Sequence, residues 1–498
     1  MYHNMYHLKI LSVFTIFAIS NANDFPKVEI SNGIVQGTLQ KSYKGRTFSS
    51  FDGIPYAKPP IGDLRFEPAQ EPYNWTGIWI ADTQHVCLQI MYDGNAAIGS
   101  EDCLYINVYV PRATPSASDN MNVIVHIYGG AFMFGSGHYY AGPKYLMDEE
   151  VVFVTMNYRL GALGFLSTND EVVPGNNGMK DQVLALRWIQ ANIKYFGGNP
   201  GSVTLTGMSS GAGSVHLHYF SHLSKRLFHR GMSQSGTAVD SWIFQELVPE
   251  RTKNLAEILG CPRDNSSDMI NCLKSRSGTQ ITEAVKRLLV VDGFPPVLFG
   301  PILEKEYGDG TFLTESPYKM FKDRTVLDVP WIVSITAEEG EFLARAFSKD
   351  ITKHIKNFEE TAPYLLEFSH DLPNKDYIVK QIRERYFKKS QDFQNMVKLL
   401  DDRYFTAGAG LAARIQARIN KAPVYFYIFG YRGESSFADL FLSNTSGIGA
   451  SHGDDVLYYL NSAISKDPLS PDDERMKNIY LKLLTSYANN EGPKVDAT

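Results

Sequence analysis

Short, unbroken apolar runs alternate along this chain with longer stretches in which apolar residues recur every third or fourth position. Val123-Ile124-Val125-His126-Ile127 and residues 151–155, 203–206, 330–336 and 424–429 are of the first kind. Too short for helices and rich in β-branched residues, they predict strands buried on both faces. Residues 182–195 and 411–420 are of the second kind and predict helices. Strands alternating with helices give the α/β class, a mainly parallel sheet covered on both faces. No repeat, low-complexity tract or interdomain linker interrupts the pattern, so one large α/β domain is the economical reading.

The N-terminus departs from this alternation. A mostly polar opening, one cation at Lys9, an apolar run over residues 10–19 and small residues at Ser20 and Ala22 read as a secretory signal peptide. Cleavage is expected after about Ala22, which leaves 23–498 as the mature chain. The apolar run is about ten residues, where a membrane span needs about 20, and no later stretch is long enough, so the mature chain is expected to carry no membrane anchor.

Composition narrows the function classes. With 44% hydrophobic and 20% charged residues the chain lies far from the signature of disorder. Its 48 basic and 54 acidic residues form no long single-sign block, which argues against a nucleic-acid tract and leaves a small molecule as the expected partner. Four cysteines fall into two sequence-local pairs, Cys87 with Cys103 and Cys261 with Cys272. In an oxidising compartment these can close two short loops, although three connectivities are possible and only proximity favours this one. Sequons at Asn74, Asn265 and Asn444 are compatible with glycosylation.

Candidate chemistry begins at Gly207-Met208-Ser209-Ser210-Gly211, directly after the apolar run 203–206. A serine between glycines two positions either side, with a strand before it and helix-competent residues after, is the pattern of a nucleophile elbow. A serine hydroxyl is a poor nucleophile, so it needs a base and an acid that orients the base. In this arrangement the chain order is serine, acid, histidine. His354, His370 and His452 follow the acid candidates. His354 sits in a charged helical pattern where a solvated role is expected, and His370 in a loop without supporting pattern. His452 lies in the glycine-rich loop 447–453, past a buried strand, where catalytic groups belong in open α/β sheets. The acid falls among Glu338, Glu339 and Glu341, immediately after the strand ending at Thr336, and the residues alone do not choose among them beyond a slight edge for Glu339 from the glycine that follows it. Oxyanion donors are expected from the loop Tyr128-Gly129-Gly130-Ala131-Phe132, as the amides of Gly130 and Ala131, joined by that of Ser210.

Together with these residues, further motifs carry a family resemblance over nearly the whole mature chain. Residues 100–108 (Ser-Glu-Asp-Cys-Leu-Tyr-Ile-Asn-Val) look like the second type-B carboxylesterase signature. Residues 51–60, Asn157-Tyr158-Arg159, Asp181-Gln182, 196–200 and Gln234-Ser235-Gly236 also resemble the carboxylesterase/cholinesterase family, particularly its secreted insect members. The resemblance implies an α/β-hydrolase fold with a Ser209–His452–Glu339 triad and oxyanion donors at Gly130, Ala131 and Ser210. It implies the two disulfides in the pairing above, and structural ion pairs of Arg65 with Glu101 and Arg159 with Asp181. No metal or organic cofactor is implied.

The chain departs from the family's pattern in four places. Met208 stands before the nucleophile, where cholinesterases often have an acid and juvenile hormone esterases a glutamine, and Ser210 replaces the usual alanine. The Cys87–Cys103 loop is shorter than in cholinesterases and lacks a tryptophan, so no platform for a choline cation is expected. Only 46 residues follow His452, so the family's C-terminal strand and helix are expected to be missing. The expected function is a secreted hydrolase of apolar carboxylic esters working through an acyl-enzyme. The competing expectation is a catalytically silent binding or adhesion relative, against which the complete triad argues.

Overall fold

The expected parallel sheet is present and larger than the sequence runs suggest. The structure is a computed structural model that describes residues 25–91, 96–289, 296–346, 351–368, 372–390, 392–441 and 449–495. The signal-peptide region, Asn444 and His370 lie outside the described residues.

The central sheet has nine strands, here β1 (Thr38–Lys41), β2 (Thr47–Pro55), β3 (Tyr105–Val110), β4 (Met121–Ile127), β5 (Val151–Met156), β6 (Gly198–Met208), β7 (Arg230–Gln234), β8 (Trp331–Thr336) and β9 (Val424–Phe429). Their spatial order is β9-β8-β7-β6-β4-β5-β3-β2-β1. The pairings from β9 through β5 are parallel, whereas β3, β2 and β1 add an antiparallel flank. A separate three-stranded sheet is formed by Lys27–Ile30, Gly33–Gln36 and Ile78–Ile80.

Unbroken apolar strands mean that successive side chains feed opposite cores. On β4, Val123, Val125 and Ile127 enter one core and Ile124 the other; on β5, Val152 and Val154 oppose Val151 and Phe153. The larger core is completed by α1 (Asn177–Asn192), α2 (Ser210–His218), α3 (Phe393–Asp401) and α4 (Ala407–Ile419). The smaller core is closed by α5 (Pro471–Ala488), with Tyr480, Leu481, Leu484 and Tyr487 buried.

This helix follows His452 and is capped at Ser470, whose side chain accepts from the Asp473 amide. It is anchored to the sheet, Tyr487 donating to the Gly231 carbonyl at 3.0 Å. No strand follows it among the described residues. No helix among the described residues is long and apolar enough to cross a membrane.

Candidate active site

The elbow forms because β6 runs into α2 with no room for a gradual turn. Ser209 has φ 59° and ψ −124°, a region that residues with a Cβ occupy only when the surroundings impose it. Here its N–H donates to the Gln234 carbonyl on β7 and its C=O accepts from the Gly213 N–H, both at 2.9 Å. A Cβ on Gly207 would lie 2.4 Å from the Gly211 carbonyl oxygen, and one on Gly211 would lie 2.0 Å from that of Ile127. Both glycines are therefore sterically required.

Of the three candidate glutamates, it is Glu339 that meets an imidazole. Its Oε2 lies 2.6 Å from His452 Nδ1, with the glutamate sealed from solvent and the histidine 5% exposed. The other carboxylate oxygen accepts from the Thr336 N–H at 2.8 Å, fixing the rotamer. Glu341 is also buried but belongs to a different cluster, 3.0 Å from Arg345 and 3.5 Å from Arg432. Glu338 is half-buried, and burial raises its carboxyl pKa. Its backbone ties the two loops together: the Glu338 N–H donates to the Ala450 carbonyl at 2.9 Å, and Glu338 forms an isolated parallel bridge with Ser451.

The glycine loop after β4 packs directly on the elbow. A Cβ on Gly129 would come within 2.9 Å of Ser209 Cβ. Beyond it Gly130, Ala131 and Phe132 all take positive φ, and the Gly130 carbonyl turns back to accept from the Met133 and Phe134 amides. Among the described residues, the amides of Gly130 and Ala131 donate to no protein acceptor. Ser210 supplies the first amide of α2, one that has no acceptor within the helix.

Ser209, His452, Gly130 and Ala131 line one cavity. Its walls are dominated by apolar side chains, among them Met208, Trp242, Phe342, Phe405, Phe437 and Leu460. No Asp, Glu, Lys or Arg lines it among the described residues, so Met208 brings no charge beside the serine.

Sequence reasoning missed several groups around this site. The Phe405 ring lies 4.6 Å from the His452 imidazole and the Phe342 ring 5.4 Å. Phe405 belongs to a π-helical turn, Asp402–Thr406, joining α3 to α4, a distortion that recurs at functional sites. Asp401, just before it, accepts from the amide of Gly340, immediately after Glu339. Burial, followed by the charge of Glu339, pushes the Asp401 carboxyl up to about 8. None of these sits in a motif; the glycine after Glu339 reads in the sequence only as a place where the backbone turns, whereas a Cβ at Gly340 would lie 2.3 Å from the Val397 carbonyl oxygen.

The other residues singled out in the sequence fall outside the Glu339–His452 contact and the Ser209 elbow. Cys87–Cys103 and Cys261–Cys272 are disulfides. Arg65 pairs with Glu101 at 2.5 Å and Arg159 with Asp181 at 2.6 Å. Asn74 and Asn265 are exposed, Asn265 capping a short helix by accepting from the Asp268 amide. His354, expected to be solvated, is buried at 2% exposure: its helix packs against α3, so the charged pattern around it hides an inward face. Among the described residues no cluster of three or more His, Cys, Asp or Glu is arranged to hold a metal ion.

A mostly parallel sheet with helices on both faces, and a strained serine turn at the carboxyl end of a central strand, define an α/β hydrolase. A carboxylesterase family model matches residues 24–498. The chain is 39% identical to venom carboxylesterase-6 of Apis mellifera, over 95% of this chain and 86% of that one, and 35% identical to juvenile hormone esterase of Tribolium castaneum, over 88% and 78%. The crystal structure of Manduca sexta juvenile hormone esterase with OTFP covalently attached is similar in fold, with TM-score 0.86, 31% identity, and coverage of 95% of this chain and 92% of that one. The chain belongs to the carboxylesterase family and is a serine carboxylic ester hydrolase.

Proposed function

We propose that Ser209 attacks the ester carbonyl, His452 takes its proton and returns it to the leaving alcohol, and Glu339 holds His452 with Nδ1 as donor. The amides of Gly130, Ala131 and Ser210 receive the oxyanion, and water repeats the steps on the acyl-enzyme. The observation that carries this reading is the 2.6 Å contact of Glu339 with His452, in a cavity shared with an elbow serine and two unengaged amides. The covalent OTFP adduct of the Manduca enzyme supports a covalent route.

The substrates are neutral, apolar esters. An uncharged lining favours them and offers a quaternary ammonium no carboxylate. The protein is secreted and glycosylated at Asn74, Asn265 and Asn444. The two disulfides support an oxidising destination, as do exposed sequons at Asn74 and Asn265. Expression in insect cells should deliver the chain to the medium in a form whose mass falls on deglycosylation; retention inside the cells counts against secretion.

One experiment tests the chemistry. An organophosphate should label the protein once per chain, with peptide mapping placing the adduct on Ser209. A label on Ser210 or Ser235 overturns this register. In the same preparation kcat/KM for a choline ester should not exceed that for its uncharged isostere, since a lost cation–π contact amounts to about 2- to 30-fold. A clear choline preference overturns the substrate reading.

A further inference from the structure

One polar side chain at the inner end of the cavity has no part in the triad. His126 lies on β4, paired in register with Thr206 on β6, so its side chain shares a sheet face with Thr206 and, two residues on, Met208. It is 3% exposed, and what remains accessible lines the cavity. Burial pushes its imidazole down to about 3, so it is neutral wherever the enzyme works.

Two hydroxyls flank one nitrogen of the His126 ring. Nδ1 lies 3.1 Å from Thr206 Oγ1 and 3.3 Å from the Tyr459 hydroxyl. Tyr459 donates its proton to Gln234 Oε1 at 2.7 Å; that oxygen is the acceptor because Gln234 Nε2 donates to Asp455 Oδ2 at 2.8 Å. Thr206 donates to the Val125 carbonyl at 3.4 Å. Nδ1 is thus engaged by protein hydroxyls, and Nε2, as acceptor or donor, is the ring nitrogen left over. Nε2 has no protein partner among the described residues and is not one of the sealed, unpaired buried atoms, which leaves it open to the cavity.

A ring nitrogen facing an apolar cavity is left unmet by a hydrocarbon arm and met by a hydroxyl, which can both donate and accept. A bound apolar group that displaces water from such a nitrogen forfeits the hydrogen bond, whereas a hydroxyl reproduces it. We propose that His126 Nε2 is a specificity-determining hydrogen-bonding group that selects, among neutral esters, those carrying a hydroxyl on the arm that runs inward past Met208. This rests on Ser209 as the nucleophile, because the ester is placed by that residue.

The test compares a pentyl heptanoate series, with arms varied from propyl to hexyl, against isosteres in which the terminal methyl of one arm is replaced by hydroxyl. The readout is the ratio of kcat/KM, hydroxyl over methyl, in the wild type, His126→Phe and His126→Leu, each first shown to take organophosphate at Ser209. At the arm length that reaches Nε2, the wild-type ratio should exceed that of both variants by about tenfold, the effect of one buried polar group met or unmet. Ratios equal in all three proteins overturn the proposal while leaving the nucleophile in place. Should neither variant fold, the wild type decides alone: rejection of every hydroxyl isostere at every arm length, as a purely apolar wall would give, also overturns it. Absence of label at Ser209 in the wild type overturns the nucleophile and this proposal together.

Discussion

Glu338, Glu339 and Glu341 are chemically the same side chain within four residues, and their separate environments make distinct predictions. Glu339→Gln keeps the shape but removes the charge that holds the imidazole tautomer, so kcat should fall by roughly 10²–10⁴-fold with KM within a few-fold. Glu341→Gln should instead destabilise the fold by about 1–3 kcal/mol, because Arg345 and Arg432 lose their buried partner. Glu338→Gln should do neither beyond a few-fold. Steady-state kinetics and thermal melts on the three variants check the set, and a kcat collapse in Glu341→Gln with normal stability would reverse the assignment. Sequence could not make this choice because it depends on which way each carboxylate leaves a single turn. That is decided by Gly340 packing on the Val397 carbonyl from a helix some sixty residues further on.

Helix α5 carries the prediction at the level of elements. It buries Leu484 completely against the sheet and starts at the Ser470 cap. Leu484→Ala should cost about 2–5 kcal/mol, and Ser470→Ala about 1 kcal/mol. Denaturant melts check both, and a Leu484→Ala protein as stable as the wild type would mean that α5 is not part of the folded body. Among the other elements, the parallel strands were legible because burial on both faces demands unbroken apolar runs. Strand β2 was not: it reads Thr-Phe-Ser-Ser-Phe-Asp-Gly-Ile-Pro, with Ser50, Asp52 and Gly53 inside it. Those polar groups are buried because they are satisfied within the strand and across to its neighbour. Asp52 accepts from Tyr109 at 2.7 Å and from Ser50 at 2.6 Å, and the Gly53 amide donates to Asn107 at 2.9 Å. Pairing between residues more than fifty positions apart leaves no local trace. Strand β6 likewise begins at Gly198-Asn199-Pro200-Gly201, residues that read locally as a turn.

For the molecule as a whole, burial of ionisable groups sets how stability depends on pH. Desolvation holds Asp455 up to about 6, Glu367 and Asp454 to about 7 and Asp401 to about 8, whereas unfolded they release protons near about 4. Between those limits the folded chain binds more protons, so this contribution is lost as pH rises. Buried His126, His216 and His218 are pushed down to about 3; the unfolded chain then binds more protons up to about pH 6.5, and stability rises with pH across that range. The two sets oppose each other below about pH 6.5, and only the carboxyls act above it. With four raised carboxyls against three lowered histidines, stability should be greatest near about pH 4–5, decline gently to about pH 6.5, and fall by about 2–4 kcal/mol more by about pH 8.5. Calorimetric Tm values across that range check this, and a Tm still climbing above neutrality would contradict it. The backbone tie between Glu338 and the Ala450–Ser451 segment has a mechanical consequence. Glu339 and His452 ride on loops stitched into one piece, with Gly449 so close that a Cβ there would lie 2.6 Å from Glu338 Cγ. Their mutual geometry is then a constant of the molecule, and the coordinate left free is the gap between that rigid pair and the serine. Substitutions in the two loops should accordingly behave as repeated insults to a single part, their costs to kcat overlapping instead of multiplying.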